Sequence, residues 1–265
     1  MLVLDLVSAI RREIPGLGTG KLYILLRNSL EKSGIKMGRD KLHKLLAANN
    51  QLIRRKRLVP KTTNSSHWMK KYPNLLKDME VIRTESVWVC DLTYVCVGHD
   101  FNYLSLITDA HSRMIVGYCL HPFLTAAGCL KALDMAISSR TKNKEQLVHH
   151  SDRGSQYCSF EYVRRLKEAD IHISMTDNGD PYENAMAERV NGILKSDFRL
   201  GRIFKSQAEA LMVTDAAVRN YNNLRPHMSC DYMTPLEAHR LDAPMKKHWK
   251  KKEYKRRKGD AISIP

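Results

Sequence analysis

None of the six cysteines (Cys90, Cys96, Cys119, Cys129, Cys158 and Cys230) forms a C-x-x-C pair, so neither a zinc knuckle nor a thioredoxin-type motif fits. Buried free thiols in a reducing compartment are the expectation. No stretch approaches the roughly 18 consecutive apolar residues that a membrane span needs, so no membrane partner is expected. The apolar start, Met1 to Ile10, carries Asp5, and Arg11 and Arg12 follow it, the reverse of the order in a secretory signal. A cytoplasmic protein is expected. Internal repeats are absent, and the only low-complexity tract is the C-terminal tail. Acidic residues are also scarce: 28 Asp and Glu face 44 Lys and Arg, a net charge of +16. With 43% hydrophobic residues the chain can bury a proper core, which excludes wholesale disorder.

The positive charge is concentrated at the ends. Residues 1–60 carry +9, residues 61–80 +2, residues 81–245 −2 and residues 246–265 +7. A merely solubilising charge would be spread evenly; this distribution points to a polyanionic partner, nucleic acid first. Leucines and valines recur at helical spacing in three short blocks: Leu2, Leu6, Val7 and Ile10; Leu22, Leu25, Leu26 and Leu30; Leu42, Leu45 and Leu46. Gly34 is a stop after the second block and Asp40 a cap for the third. Three short helices with a glycine-bearing turn suit a helix-turn-helix. On the third, Arg39, Lys41, His43 and Lys44 stay off the leucine stripe and are candidates to face DNA. Arg54-Arg55-Lys56-Arg57 follows and extends the basic surface. A helical subdomain with a solvated charged face is the plainer alternative.

The division expected is a helical region over 1–59, a Pro-, Thr- and Ser-bearing linker over 60–82, an α/β core over 83–242 and a basic tail over 243–265. Val87–Val97, Phe101–Thr108 and Arg113–Leu120 read as three strands of a meander. A helix over about Thr125–Ser139 follows, then a strand from Gln146 to His149, a helix from about Ser159, and a strand over Ile171–Met175. A loop over Thr176–Pro181 feeds the next helix, with Asp180 as its cap, Pro181 in its first turn and Glu183 three residues after the cap. Ser206 with Glu209 opens a further helix by a capping box. Three strands followed by alternating helix and strand make a mixed sheet with flanking helices, compatible with a ribonuclease-H-like fold.

Three acids stand out. Asp91 lies in the middle of an otherwise apolar strand, where a lone carboxylate is expensive unless paired, for instance by a metal. Asp152 lies where a strand gives way to the turn Arg153-Gly154-Ser155, and active sites of open α/β sheets collect at such ends. Glu188 shares a helical stripe with Asn184, Asn191 and Lys195. Sixty residues separate the first pair and 35 the second. Two aspartates on strands and a glutamate on a packed helix can converge on hard cations such as Mg²⁺, and two such ions about 4 Å apart can activate an attacking oxygen and stabilise a leaving one in phosphoryl transfer. Lys195 and Arg189 can neutralise backbone phosphates. Asp109, Asp177 and Asp180 are competing carboxylates.

The motifs Trp88–Tyr94, His150–Tyr157 and Asn184–Lys195 resemble those of the retroviral-integrase-like DDE transposases, most closely the second-reading-frame proteins of the bacterial insertion-sequence family numbered three. The 35-residue gap and a basic residue seven positions after the glutamate, here Lys195, are that class's signature. Tyr221–His227 and Thr234–Glu237 resemble its C-terminal end, and the likeness spans about residues 15–240. It implies Asp91, Asp152 and Glu188 as ligands of two Mg²⁺ or Mn²⁺ ions. It further implies cleavage at the ends of a mobile element and attack of the freed 3′-hydroxyl on another phosphodiester. Lys195 matches the family's DNA-contacting basic residue, and Asn184 matches a motif position near it. The implied partners are terminal repeats and target DNA, further copies of the chain on that DNA, and the product of the upstream reading frame, in the cytoplasm at the nucleoid. The zinc module of retroviral integrases is absent, since the first cysteine is Cys90. A ribonuclease-H-type nuclease without strand transfer and a non-catalytic DNA-binding regulator are the rival readings.

Overall fold

A computed structural model describes residues 2–53, 67–77, 79–142, 145–177, 184–245 and 248. The three leucine blocks form α1 (Leu2–Glu13), α2 (Thr19–Lys32) and α3 (Arg39–Ala48). In α1 Val7 is buried and Leu6 and Ile10 pack against the core as the spacing predicts, while Leu2 is exposed and Val3 is buried instead. Leu22, Leu26 and Leu30 of α2 and Leu42 and Leu46 of α3 are buried. Gly34 ends α2 at φ +68°, a conformation that strains any residue with a Cβ. Asp40 is not the cap of α3. Gly38 holds that position, and Asp40 sits in the first turn, where its charge complements the helix dipole.

The sheet begins with β1 (Val87–Val97), β2 (Asp100–Asp109) and β3 (Ile115–His121), an antiparallel meander as the β-branched and aromatic runs predict. Helix α4 (Ala126–Ser139) crosses back over β2 and β3. Its approach needs Gly117 on β3, where a Cβ would stand 2.1 Å from the Ala132 carbonyl oxygen. Then come β4 (Leu147–Ser151), the single-turn α5 (Ser155–Cys158), α6 (Phe160–Glu168) and β5 (Ile171–Met175). Ser159 caps α6 by accepting from the Tyr162 amide. Helix α7 (Ala185–Asp197) follows. The cap expected at Asp180, with Pro181 and Glu183, lies outside the described residues. The chain ends in β6 (Ile203–Phe204), α8 (Gln207–Leu224), a 3-10 turn over Met228–Cys230, and α9 (Pro235–Leu241). Ser206 caps α8, but the Glu209 carboxylate reaches the Lys205 amide rather than that of Ser206, so the box is only half made. The full box opens α9, between Thr234 and Glu237.

Strand order is β3-β2-β1-β4-β5, with β6 added to the far end of β1; β1, β4 and β5 run parallel. One face carries α4, α5 and α6 over Trp88, Cys90 and Ile107. The other carries α7 and α8 over Val95, Leu104 and Leu106. That second apolar cluster runs without a break into α1, α2 and α3. Burying each of those leucines contributes about 1.5–3 kcal/mol, so the helical region is held to the core by packing. The turn after α1 touches the end of α7 directly: the Gly16 amide donates to the Asp197 carbonyl at 2.7 Å, and a Cβ on Gly16 would meet the Ser196 oxygen at 2.2 Å. Between the ends of α7 and α8, Arg225 donates through Nε and Nη2 to Asp197 Oδ2 at 3.0 and 2.8 Å, both side chains being buried. Among the described residues, no helix is long and apolar enough to cross a membrane.

Candidate active site

Strand register brings the two aspartates together. β1 and β4 pair in parallel as Val87 with Val148, Trp88 with His149 and Val89 with His150. Extended two residues past the last pair, just beyond the end of β4, the same offset of 61 would set Asp152 beside Asp91, and the charge of Asp152 acts on Asp91. Adjacent strands lie about 4.8 Å apart, so both acids project from neighbouring positions at the C-terminal edge of the parallel pair. Asp152 leaves β4 and accepts from the Gly154 amide through Oδ1 at 2.9 Å, a local turn that starts α5. A Cβ on Gly154 would come to 3.0 Å from that oxygen, a tight contact at the end of the Asp152 side chain.

The polar stripe of α7 lies along β1. Asn184, just before the helix, donates Nδ2 to the Cys90 carbonyl at 3.0 Å. Asn191 donates Nδ2 to Asp91 Oδ2 at 2.7 Å, while Oδ1 of Asp91 takes the Leu92 amide at 2.8 Å. Lys195 places its Nζ 3.9 Å from the centre of the Tyr94 ring. Glu188 sits in the first turn of α7, on the same stripe and exposed. Burial, then the charge of Asp152 and, less strongly, that of Glu188, push the Asp91 carboxyl up to about 7 against the hydrogen bonds from Asn191 and Leu92. Burial lowers the Lys195 ammonium, against the pull of Cys96 and Asp91. The three acids therefore share one electrostatic neighbourhood. Among the described residues, however, no three His, Cys, Asp or Glu side chains stand as a ready-made metal cage.

Two of the competing carboxylates are occupied elsewhere. Asp109 is fully buried and accepts from the amides of Glu85, His111 and Ser112, a structural role. Asp177 pairs with Lys77 and Arg153. Asp180 lies outside the described residues. Sequence reasoning missed the layer behind the site: Cys90 Sγ, His149 Nε2 and Tyr162 Oη form a buried chain of 2.8 Å contacts on the opposite face of the sheet. Burial and the neighbouring His150 push His149 down to about 3, so its ring is neutral. All six cysteines are free thiols, with Cys96 and Cys119 only half-buried.

Of the basic candidates, Arg39, Lys41 and Lys44 are exposed on α3. Arg39 and Lys41 line an open groove of about 1070 Å³, together with Lys21 and Arg27 of α2 and Met228, Asp231 and Tyr232 beyond α8. Arg189 is exposed on α7 and turned away from the acid stripe. Arg54 and Arg55 lie outside the described residues.

Two models of the integrase core domain match, over residues 83–181 and 169–235. A 31 kDa protein of insertion element IS600 from Shigella sonnei is 34% identical over 212 residues, covering 79% of this chain and 78% of its own. The transposase for insertion sequence element IS629 from Shigella sonnei is 33% identical over 211 residues, covering 79% and 70%. Transposase InsF for insertion sequence IS3A of Escherichia coli is 32% identical over 176 residues, covering 64% and 59%. A solved structure of the simian T-cell lymphotropic virus intasome, in complex with a PP2A regulatory subunit, matches at a TM-score of 0.52 with 19% identity. It covers 88% of this chain and 79% of its own, a likeness of fold. Aspartates brought level by strand register, a glutamate on the packed helix beside them and these relatives agree: the chain belongs to the insertion-sequence transposases of the IS3 family, DDE-class polynucleotidyl transferases on an integrase core.

Proposed function

We propose that the protein cuts DNA at the ends of its insertion sequence and joins the freed 3′-hydroxyls to a target, using Asp91, Asp152 and Glu188 as the ligands of two Mg²⁺ or Mn²⁺ ions. The observation that supports this reading is the crowding at Asp91, whose carboxyl is pushed up to about 7 by burial and by the charges of Asp152 and Glu188. A site that crowds acids at that cost is built for cations, and an all-oxygen donor set suits hard ones. Bound there, divalent ions would make a water or a 3′-hydroxyl nucleophilic at neutral pH and stabilise the departing oxygen. Asn191 holds Oδ2 of Asp91 and the Leu92 amide holds Oδ1, which together fix the plane of the carboxylate. Lys195, half-buried over Tyr94, supplies positive charge beside the site for a backbone phosphate. Asn184 fixes the start of α7 against β1 and thereby the position of Glu188. Arg39, Lys41 and Lys44, exposed on the third helix of the helix-turn-helix, would hold the element's terminal repeat, with Arg54 and Arg55 continuing that surface. The enzyme would act in the cytoplasm at the nucleoid, as two or more copies bridging both ends, alone or with the product of the upstream reading frame.

A strand-transfer assay with labelled element ends, run with and without Mg²⁺, tests this. Joined products that need the metal and vanish in Glu188→Gln, while DNA binding persists, are expected. Nicks without joining, or cleavage that survives Glu188→Gln, would overturn the reading.

A further inference from the structure

The motif Trp88–Tyr94 ends on an aromatic residue to which the catalysis proposed above gives no part. Tyr94 stands opposite Tyr103 in the β1–β2 register, and Phe101, its diagonal neighbour, meets it edge to face, with ring centroids 5.3 Å apart and an interplanar angle of 84°. The Tyr94 hydroxyl makes no hydrogen bond among the described residues, so what the side chain offers its neighbours is the ring. Over that ring lies the Lys195 ammonium, 3.9 Å from the centre. This is well inside the roughly 6 Å within which the negative face of a ring attracts a cation.

The two side chains start from opposite sides of the sheet. Alternation along β1 puts Tyr94 with Trp88, Cys90 and Leu92 on the face that carries α4 to α6, whereas α7 packs with Val95 on the other. They meet at an edge of β1. On one side β1 pairs with β2, but on the other β4 reaches only as far as Val89 and β6 begins at Cys96. Asp91 lies in that gap, and its charge pulls on Lys195 from a distance; among the described residues the two form no ion pair. A carboxylate in place of the ring would tie up the ammonium N–H groups and add negative charge beside Asp91, Asp152 and Glu188. A neutral ring attracts the cation and leaves its donors for another acceptor.

We propose that Tyr94, propped by Phe101, is a positioning residue: its ring holds the Lys195 ammonium at the open edge of β1, with N–H groups left for a phosphate of the DNA backbone. The proposal rests on the reading of Lys195 as a phosphate contact and names what fixes that contact in place. A lysine is a point charge on a flexible stem, and by itself it marks no one position. Confined over the ring, the charge is already ordered before DNA arrives, so less freedom is lost on binding. The ring is what matters and the hydroxyl is not: Tyr94→Phe keeps the device and Tyr94→Leu removes it.

The test uses the full chain in EDTA, where metal-dependent cleavage plays no part. Without DNA, the Lys195 ε-methylene signals, identified by their loss in Lys195→Ala, are expected upfield of those of other lysines through the ring current of Tyr94. They should stay there in Tyr94→Phe and move back in Tyr94→Leu. On a duplex carrying an element end, Tyr94→Leu is expected to weaken affinity about 2- to 30-fold and Tyr94→Phe to leave it unchanged. In a Lys195→Ala background Tyr94→Leu should add nothing further. An unshifted wild-type signal overturns the proposal. So does an equal cost of Tyr94→Leu with and without Lys195, since a ring that served only the fold would be missed equally in both. Lys195→Ala that binds DNA as tightly as the wild type overturns it from beneath: the phosphate contact then fails, while the wild-type spectra still show the ammonium on the ring.

Discussion

Asn191→Ala is the most direct probe of how the acid site is held. It removes the 2.7 Å donation from Nδ2 to Asp91 Oδ2 and little else, since Asn191 Oδ1 has no partner among the described residues. A hydrogen bond to a charged group contributes about 1.5–3 kcal/mol, against about 1.4 kcal/mol for a tenfold change in an equilibrium constant. If that bond fixes the orientation from which Asp91 meets the metals, its loss should weaken metal binding about 10–100-fold, the range seen when partners of metal ligands are removed. Mg²⁺ titration of strand transfer should show the half-saturating concentration raised by that factor, with activity largely restored at high metal. DNA affinity in EDTA should stay close to that of the wild type, while the urea midpoint should fall, since the same buried bond is lost from the fold. A metal response identical to wild type would refute the argument that Asn191 is a positioning residue for Asp91. Loss of activity that no metal concentration restores, in a folded variant, would refute the proposed route through metal affinity.

Asp197→Asn leaves the Arg225 guanidinium buried beside a neutral amide and should cost about 3–5 kcal/mol in urea unfolding, whereas Asp197→Leu with Arg225→Met should cost far less. Replacing Arg39, Lys41 and Lys44 together by serine should reduce the salt slope of DNA binding by about 0.9 for each phosphate left without its cation, with thermal stability unchanged because all three are exposed. Burial works against ionisation of Asp242, but hydrogen bonds from Lys142 and Thr84 prevail and hold its carboxyl down at about 2. A depressed carboxyl stabilises the fold above its unfolded value near pH 4, and that contribution, about 1 kcal/mol after solvent screening, disappears as pH falls from about 4 to about 2. The difference in unfolding free energy between wild type and Asp242→Asn should therefore shrink across that window and be flat above it.

The strands were legible because each is a run of β-branched and aromatic residues bounded by turns, and β1 is the expected segment, Val87–Val97. Short elements were not. α5 has four residues and β6 two, too few for any periodicity, and β6 exists only because β1 offers an edge at Cys96 and Val97. In the candidate site, the α7 stripe was readable from spacing, but its partners were not. Asn184 meeting Cys90 and Asn191 meeting Asp91 are pairings across 94 and 100 residues. The register of β1 with β4 depends on pairing that neither segment declares alone. Arg225 and Asp197 gave no sign of each other because nothing in either local sequence distinguishes a buried ion from a solvated one. Of the α1 stripe only Leu2 was misplaced, with Val3 covered in its stead.

Gly16 has no room for a methyl group against the last turn of α7. Its neighbours α1, α2 and α3 share one apolar cluster with that helix. Among the described residues, the front helices are thus packed directly on the acid-bearing helix, the part that would grip a recognised sequence against the part that would cut. On the proposed reading such a molecule would act as a ruler: the count of base pairs from its foothold to the severed bond would be set by the protein, and an element whose ends were lengthened by a few base pairs would be held but left whole.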